Sequence, residues 1–383
     1  MYALQIIVFL LVSASFTNIY ITQPVLPVLQ DEFAVDEVTA SYSVAAVILG
    51  IALSNLPFGA MVDRFRIRSL VIFATFPIVI AGLLAAYTEN IWVLIAARFI
   101  QGLFIPALTT CVAAFLAKTQ PPQSLNVLMG SYVSATVIGG LGGRLLGGWI
   151  HPPLHWRYAF VSAAVFLIIA VIATLRYLPT EPASQLGHLR PTNYRVLLKN
   201  KPLVSIYLAS ASSFFVFSSV FNYLPFRLEA PPFSLETEWI TMLYVTYLTG
   251  VFLGPLAGHV SNKIGNGFTM MAGALILAMS VLLTLSADVW WIVIALIGIC
   301  AGFFTLHASA VGAINHLASD AKGRANALYV FFYYLGGGAG ITLSGIVYSG
   351  YDWQGFVWLS IITLLIPMFI GWRLSQPIKQ SFN

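Results

Sequence analysis

The sequence predicts an all-α membrane protein of twelve transmembrane helices, arranged as two six-helix bundles that are parallel repeats of each other. Three observations predict it. Hydrophobic residues make up 59% of the 383 positions and charged residues only 8%, far from the balance of soluble domains, so the chain belongs in lipid. Its apolar stretches are continuous and rich in Leu, Ala and Gly, each long enough for about 20 residues of helix, the length that crosses a hydrocarbon core roughly 30 Å thick; the period-two strands of a membrane barrel are thereby excluded. A short polar pattern also recurs, GAMVDRFRIR at residues 59–68 and GHVSNKIGNG at residues 258–267, 199 positions later.

In chain order the spans fall at about 3–29, 38–62, 68–87, 91–117, 124–149 and 157–178, then 202–226, 238–260, 268–286, 290–315, 325–348 and 355–374. Only Met1 and Tyr2 precede the first run, without a basic segment or a small-residue cleavage site, so that run is expected to stay as a helix. Pro24 and Pro225, in the first helix of each half, predict kinks that free backbone groups for a polar pocket. Residues 179–201 form the longest polar stretch, with Pro179, Pro182, Gly187 and Pro191, and read as a linker between residues 1–178 and 202–383. The register of the repeat holds through Gly102 with Gly302, Asn126 with Asn326, Gly140 with Gly340 and Trp156 with Trp353. Because each half has an even number of spans, the copies are parallel in the membrane, and such paired halves rocking about a midplane site are how many secondary transporters work.

Charge placement sets the expected orientation. With both termini cytoplasmic, 14 of the 18 basic residues fall on the cytoplasmic side, while ten of the 13 acidic residues fall on outer loops or outer helix ends. The net charge of +5 therefore reflects topology and gives no support for a nucleic-acid partner. Short loops and the absence of any Asn-x-Ser/Thr sequon suit a bacterial inner membrane. Cys111 and Cys300 fall in different helices at depth and read as inert core residues.

The motifs carry a resemblance. Gly59-x-x-x-Asp63-Arg64-x-Arg66-x-Arg68 is similar to the loop 2–3 motif of the major facilitator superfamily, with Arg66 in place of its second glycine. Arg98-x-x-Gln101-Gly102 resembles its fourth-helix motif, and Gly130, Gly139, Gly143, Gly147 and Gly148 follow the fifth-helix spacing of its drug/proton antiporters, with Arg144 where they carry proline. The chain thus resembles the twelve-helix drug/proton antiporter branch of that superfamily over essentially its whole length. The resemblance implies a proton-coupled exporter of small amphipathic molecules that works by alternating access as a monomer, with no cofactor beyond the proton gradient. Its partners would be the solute, protons and the lipid bilayer.

The resemblance also implies that Gly59, Asp63, Arg64 and Arg68 form a latch near the start of the eleventh helix; simple charge punctuation at a helix end is the plainer alternative. Gly139, Gly143 and Gly147, and again Gly336 and Gly340, recur four apart on one helix face, where small residues let backbones approach closely. Arg98 and Arg144 lie roughly 8–10 Å inside their helices at 1.5 Å per residue, and an intramembrane guanidinium marks a functional site by default. For Arg144 the alternative is snorkelling to the outer interface.

An acid that cation exporters of this branch often carry three residues before a Gln-Pro pair is replaced here by Tyr20, although Gln23 and Pro24 remain. Proton coupling must then be sought at Asp31, Glu32 or His307, the last with an ordinary pKa near 6.5; for Arg98 the resemblance implies a role in proton coupling or in a helix–helix hydrogen-bond network. Asn18, Tyr20, Gln23, Arg98, Gln101, Arg144, Phe217, Asn222, Phe304, His307 and Tyr334 are the expected cavity residues, an aromatic wall with sparse polar anchors. Two guanidinium groups and no midplane acid favour neutral or anionic solutes. A sugar or organic-acid exporter of the same fold is the near alternative. An intramembrane enzyme is the distant one, because no nucleophile–base set or metal-ligand spacing is found.

Overall fold

The computed structural model describes residues 2–62, 64–178, 194–318 and 321–376. The regular structure of the described residues is all helical, with no strand among them. The first span is broken: α1 (Tyr2–Tyr20) passes through a 3-10 turn at Gln23–Val25 into α2 (Leu26–Phe33). It is followed by α3 (Glu37–Met61), α4 (Ile67–Tyr87), α5 (Ile91–Leu108) with its continuation α6 (Thr110–Thr119), α7 (Pro122–Ile150) and α8 (Arg157–Tyr177). The second set comprises α9 (Tyr194–Lys199), α10 (Lys201–Glu229), α11 (Thr237–Leu243), α12 (Thr249–Ile264), α13 (Asn266–Leu283), α14 (Val289–Leu317) and α15 (Lys322–Ser375).

Ten of these segments are long and apolar enough to cross a membrane. The last covers two crossings, because Tyr351 (φ −137°, ψ 17°) and Asp352 (φ 53°, ψ −163°) leave the helical region and fold 353–375 back from 322–350. The 29-residue α7, lowered in hydropathy by its glycines and Arg144, completes the twelve. Pro24 sits in the 3-10 break, where its missing N–H costs no α-helical bond, whereas α10 stays helical through Pro225. The expected linker lies mostly outside the described residues, which within it begin with the short helix α9.

Helix packing repeats as the sequence does. In the first six spans α1 packs on α7, α3 and α4 on α5, and α4 on α8; in the last six α10 packs on α15, α12 and α13 on α14, and α13 on α15. Glycine sets the α1–α7 distance, since a Cβ at Gly139, Gly143 or Gly147 would strike the backbone of Ser13, Thr17 or Ile21 in turn. Gly336 and Gly340 meet the backbone of Ala211 and Phe215 in the same way. The sets join chiefly through α3 with α15 and α7 with residues 237–248, and α10 also meets α2, α3 and the turn at Gln23–Val25.

The molecule has an acidic end, carrying Asp31, Glu32, Asp36 and Glu37, and a basic end, carrying Arg64, Arg66 and Arg68. At the acidic end the Asp36 side chain accepts from the Thr39 amide at 2.7 Å and caps α3. Across the two sets, Ser349 donates to Glu37 (2.6 Å) and Asn222 to Ser41 (2.8 Å), and nearer the basic end Asn55 donates to the Ala327 carbonyl (3.4 Å).

Candidate functional site

Two buried arginines organise the polar interior, and they are held in different ways. Arg98, fully buried on α5, donates from Nε to the Ser43 carbonyl (3.1 Å), from Nη1 to the Asn18 carbonyl and Gln101 Oε1 (2.6 Å each) and from Nη2 to the Ile19 carbonyl (2.5 Å). The Asn18 and Ile19 carbonyls are available because α1 ends at Tyr20 and leaves its last carbonyls without helical partners. Gln101 extends the cluster to Asn18 Oδ1 (3.4 Å) and the Ile78 carbonyl (3.3 Å). Four of the five guanidinium N–H groups are thus engaged, which makes Arg98 a staple for the broken end of α1.

Arg144, 1% exposed on α7, donates from Nε to Gln23 Oε1 (2.7 Å), from Nη1 to the Gly140 carbonyl (2.8 Å) and from Nη2 to the Tyr247 hydroxyl (2.8 Å). Its Cζ lies 3.9 Å from the ring centre of Tyr20, 4.1 Å from that of Tyr247 and 5.4 Å from that of Tyr244. Every partner is neutral, and no ion pair to Arg144 is found among the described residues. Beside it the Gln23 amide nitrogen and the Thr22 hydroxyl are buried without a hydrogen-bond partner. Donors therefore outnumber acceptors around an uncompensated positive charge.

From Tyr247 an aromatic wall runs along α10, α14 and α15. Phe221 lies 4.5 Å from Tyr247, Phe217 stacks on Phe303 at 3.8 Å and 15°, and Phe214 stacks on Tyr333 at 3.8 Å and 12°. Phe304 and Tyr334 meet this wall edge-on. His307 Nδ1 lies 2.7 Å from the Tyr329 hydroxyl, its ring 5.9 Å from Phe303. Asn222 Oδ1 is buried without a partner.

The structure thus gathers Tyr20, Gln23 and Arg144 in one place, Asn18, Arg98 and Gln101 in a second, and Phe217, Phe304, His307 and Tyr334 along the wall. Asp31 is elsewhere, in a cavity of about 390 Å³ at the acidic end that Glu37, Glu229 and Asp352 also line. Glu32 is bound to Arg157 (2.8 Å), His155 (3.5 Å) and the Trp156 indole. At the basic end Arg68 donates to the Leu178 carbonyl (2.5 Å), Arg64 is exposed, and Gly59 faces open space. Asp63 lies outside the described residues. Tyr244, Tyr247 and Tyr329 escaped the sequence reading; the two tyrosines three apart in a Thr-flanked stretch of the eighth span were the available signal. No group of three or more His, Cys, Asp or Glu able to hold a metal occurs among the described residues, and both cysteines are free and buried.

Twelve crossings, repeated packing and a polar site where the two sets meet define a multi-pass membrane protein with the major facilitator fold. The profile of the Major Facilitator Superfamily matches residues 8–235 and 233–382, and the chain belongs to that superfamily of membrane transporters. It is 28% identical over 365 residues to the inner membrane transport protein YnfM of Escherichia coli, covering 94% of this chain and 88% of that one. The cis,cis-muconate transport protein of Acinetobacter baylyi is 26% identical over 261 residues, 64% of this chain and 62% of that one. Among solved structures, a bacterial homologue of the human lysosomal transporter Spinster, inward-facing and unoccupied, superimposes with a TM-score of 0.81 at 14% identity, covering 97% of this chain and 96% of that one.

Proposed function

We propose that the protein is a proton-coupled exporter of small amphipathic molecules, neutral or anionic rather than cationic, that works by alternating access in a bacterial inner membrane. In this reading residues 1–178 and 202–383 are the two bundles that pivot, residues 179–201 link them, and the basic end faces the cytoplasm. The observation that carries it is the uncompensated Arg144 guanidinium where α7 meets the eighth span, continuous with an aromatic wall. An apolar wall with one buried charge recognises a solute by shape and by opposite charge. The Arg144–Tyr247 bond and the seating of Gly148 against Thr241 join α7 to the eighth span at the acidic end. Opening that end requires both contacts to part. Asp63 with Arg64 and Arg68 would latch the opposite end.

Proton carriage falls to His307, Asp31, Glu32 or Arg98. His307 has the shortest route, because it stands on the wall itself. The organic-acid alternative is favoured by one observation, the relative named for cis,cis-muconate transport. A sugar is a poorer match to a wall with so few amides, and the residues support transport rather than catalysis. The test is purified protein in liposomes under an imposed pH gradient, offered cationic, neutral and anionic amphiphiles. Solute-driven proton movement with anions or neutrals is expected; proton movement confined to cations contradicts the proposal.

A further inference from the structure

We infer that Arg144 and Gln23, with the rings of Tyr20 and Tyr247, form a carboxylate-recognition subsite, and that the solute is an amphipathic monocarboxylate whose apolar body lies on the Phe217–Phe303 wall. This deepens the exporter reading and rests on it. Three features converge. Arg144 is a buried cation whose hydrogen-bond partners are an amide, a backbone carbonyl and a phenol, so a single negative charge is missing from the site. Beyond the bonds to Gly140 and Tyr247 its terminal nitrogens carry two more N–H groups, of which the Tyr20 hydroxyl also takes a share, and the Gln23 amide nitrogen, fully buried, points to no acceptor. A ligand able to satisfy these groups must therefore bring acceptors and no donors, which describes an ionised carboxylate and excludes an amine.

Shape narrows the class further. Ring centres at 3.9 and 4.1 Å from its Cζ crowd the guanidinium and leave a narrow approach. A planar carboxylate enters there with two parallel bonds, whereas a tetrahedral oxyanion would press an oxygen into a ring. One guanidinium neutralises one charge, so a monoanion is selected. The wall that begins at Tyr247 and continues through Phe217 and Phe303 gives the remainder of the solute an apolar bed. Arg98 is no competitor for this role, because four of its N–H groups already hold carbonyl oxygens.

The test is equilibrium binding to the full chain in lipid nanodiscs, with protein-free nanodiscs as the blank. The probes are 4-phenylbutyrate, 4-phenylbutyramide and 4-phenylbutylamine, matched in shape and different in charge. The wild type should bind the carboxylate roughly 10- to 100-fold more tightly than the amide, the value of a charge-assisted hydrogen-bond pair, and the amine least. Gln23→Glu places an internal carboxylate against Arg144 in nearly the same volume, and should abolish that preference while the protein keeps its melting temperature. Arg144→Gln should bring carboxylate and amide within about threefold of each other. Equal affinities for the three probes in the wild type, preference for the amine, or no saturable carboxylate binding would each overturn the subsite. Proton-coupled export of neutral amphiphiles would survive that failure, so the two outcomes separate.

Discussion

Arg98 and Arg144 are the same residue type buried to nearly the same degree, yet their hydrogen-bond partners give them different expected weights in stability. Removing Arg98 strands the Asn18 and Ile19 carbonyls in an apolar interior, so Arg98→Gln should cost on the order of 2–4 kcal/mol and lower the melting temperature in detergent. Arg144→Gln removes a buried charge that has no counter-ion, and should change the same melting temperature little while altering solute selectivity. Equal destabilisation by the two substitutions would show that Arg144 is a staple as well. A third residue tests protonation at the acidic end. Burial, and then the neighbouring His155, hold the His151 pKa below its ordinary 6.5. The unfolded chain therefore takes up the proton first, and stability is lost as pH falls below 6.5. His151→Gln should flatten the drop in melting temperature between pH 7.5 and 5.5; an unchanged drop removes His151 as its source. The sequence made Arg98, Arg144, Tyr20 and Gln23 legible, because a charge inside an apolar run and a Gln-Pro pair stand out locally. Tyr244 and Tyr247 were not legible, since nothing local says that the eighth span crosses beside the fifth.

Helices here are positioned by where backbones can touch. A side chain at Gly143 would meet the Thr17 backbone, whereas one at Gly130, on the same helix, meets nothing within 4 Å. Gly143→Leu should therefore abolish folding or transport, and Gly130→Leu should leave expression and melting temperature near wild type; similar behaviour of the pair would deny the α1–α7 contact its role. The cap of α3 gives a smaller effect, about 0.5–2 kcal/mol lost in Asp36→Ala. At this scale the continuous apolar runs revealed the spans, and the four-residue glycine spacing revealed which faces close. The breaks were harder to read. Thr109 (φ −107°, ψ −69°) interrupts the fourth span three residues after Pro106, and residues 244–248 tighten to a 3-10 turn, whereas α10 passes through Pro225 unbroken. Proline marks a possible bend, and tertiary packing decides whether it is used.

For the molecule as a whole, internal repetition in the sequence reappears as repeated helix contacts, which is why the fold was legible at once and the pocket was not. The repeat is a property of one chain position compared with another 200 or so residues away, and any reader of the sequence can make that comparison. The Arg144 cluster, by contrast, is built from one-off departures from the repeat: Arg144 stands where the second half has Ser344, and Tyr20 where Phe221 follows the same register. On the proposed reading, selectivity resides in the asymmetry between otherwise similar halves, at a buried Arg144 whose hydrogen-bond partners are all neutral. The decisive comparison is the ratio of 4-phenylbutyrate to 4-phenylbutylamine transport rates in proteoliposomes, wild type against Arg144→Gln. The wild type should favour the anion by about tenfold or more, with the ratio collapsing towards one in the variant; a wild type that favours the amine, or a ratio indifferent to Arg144, would contradict the proposal.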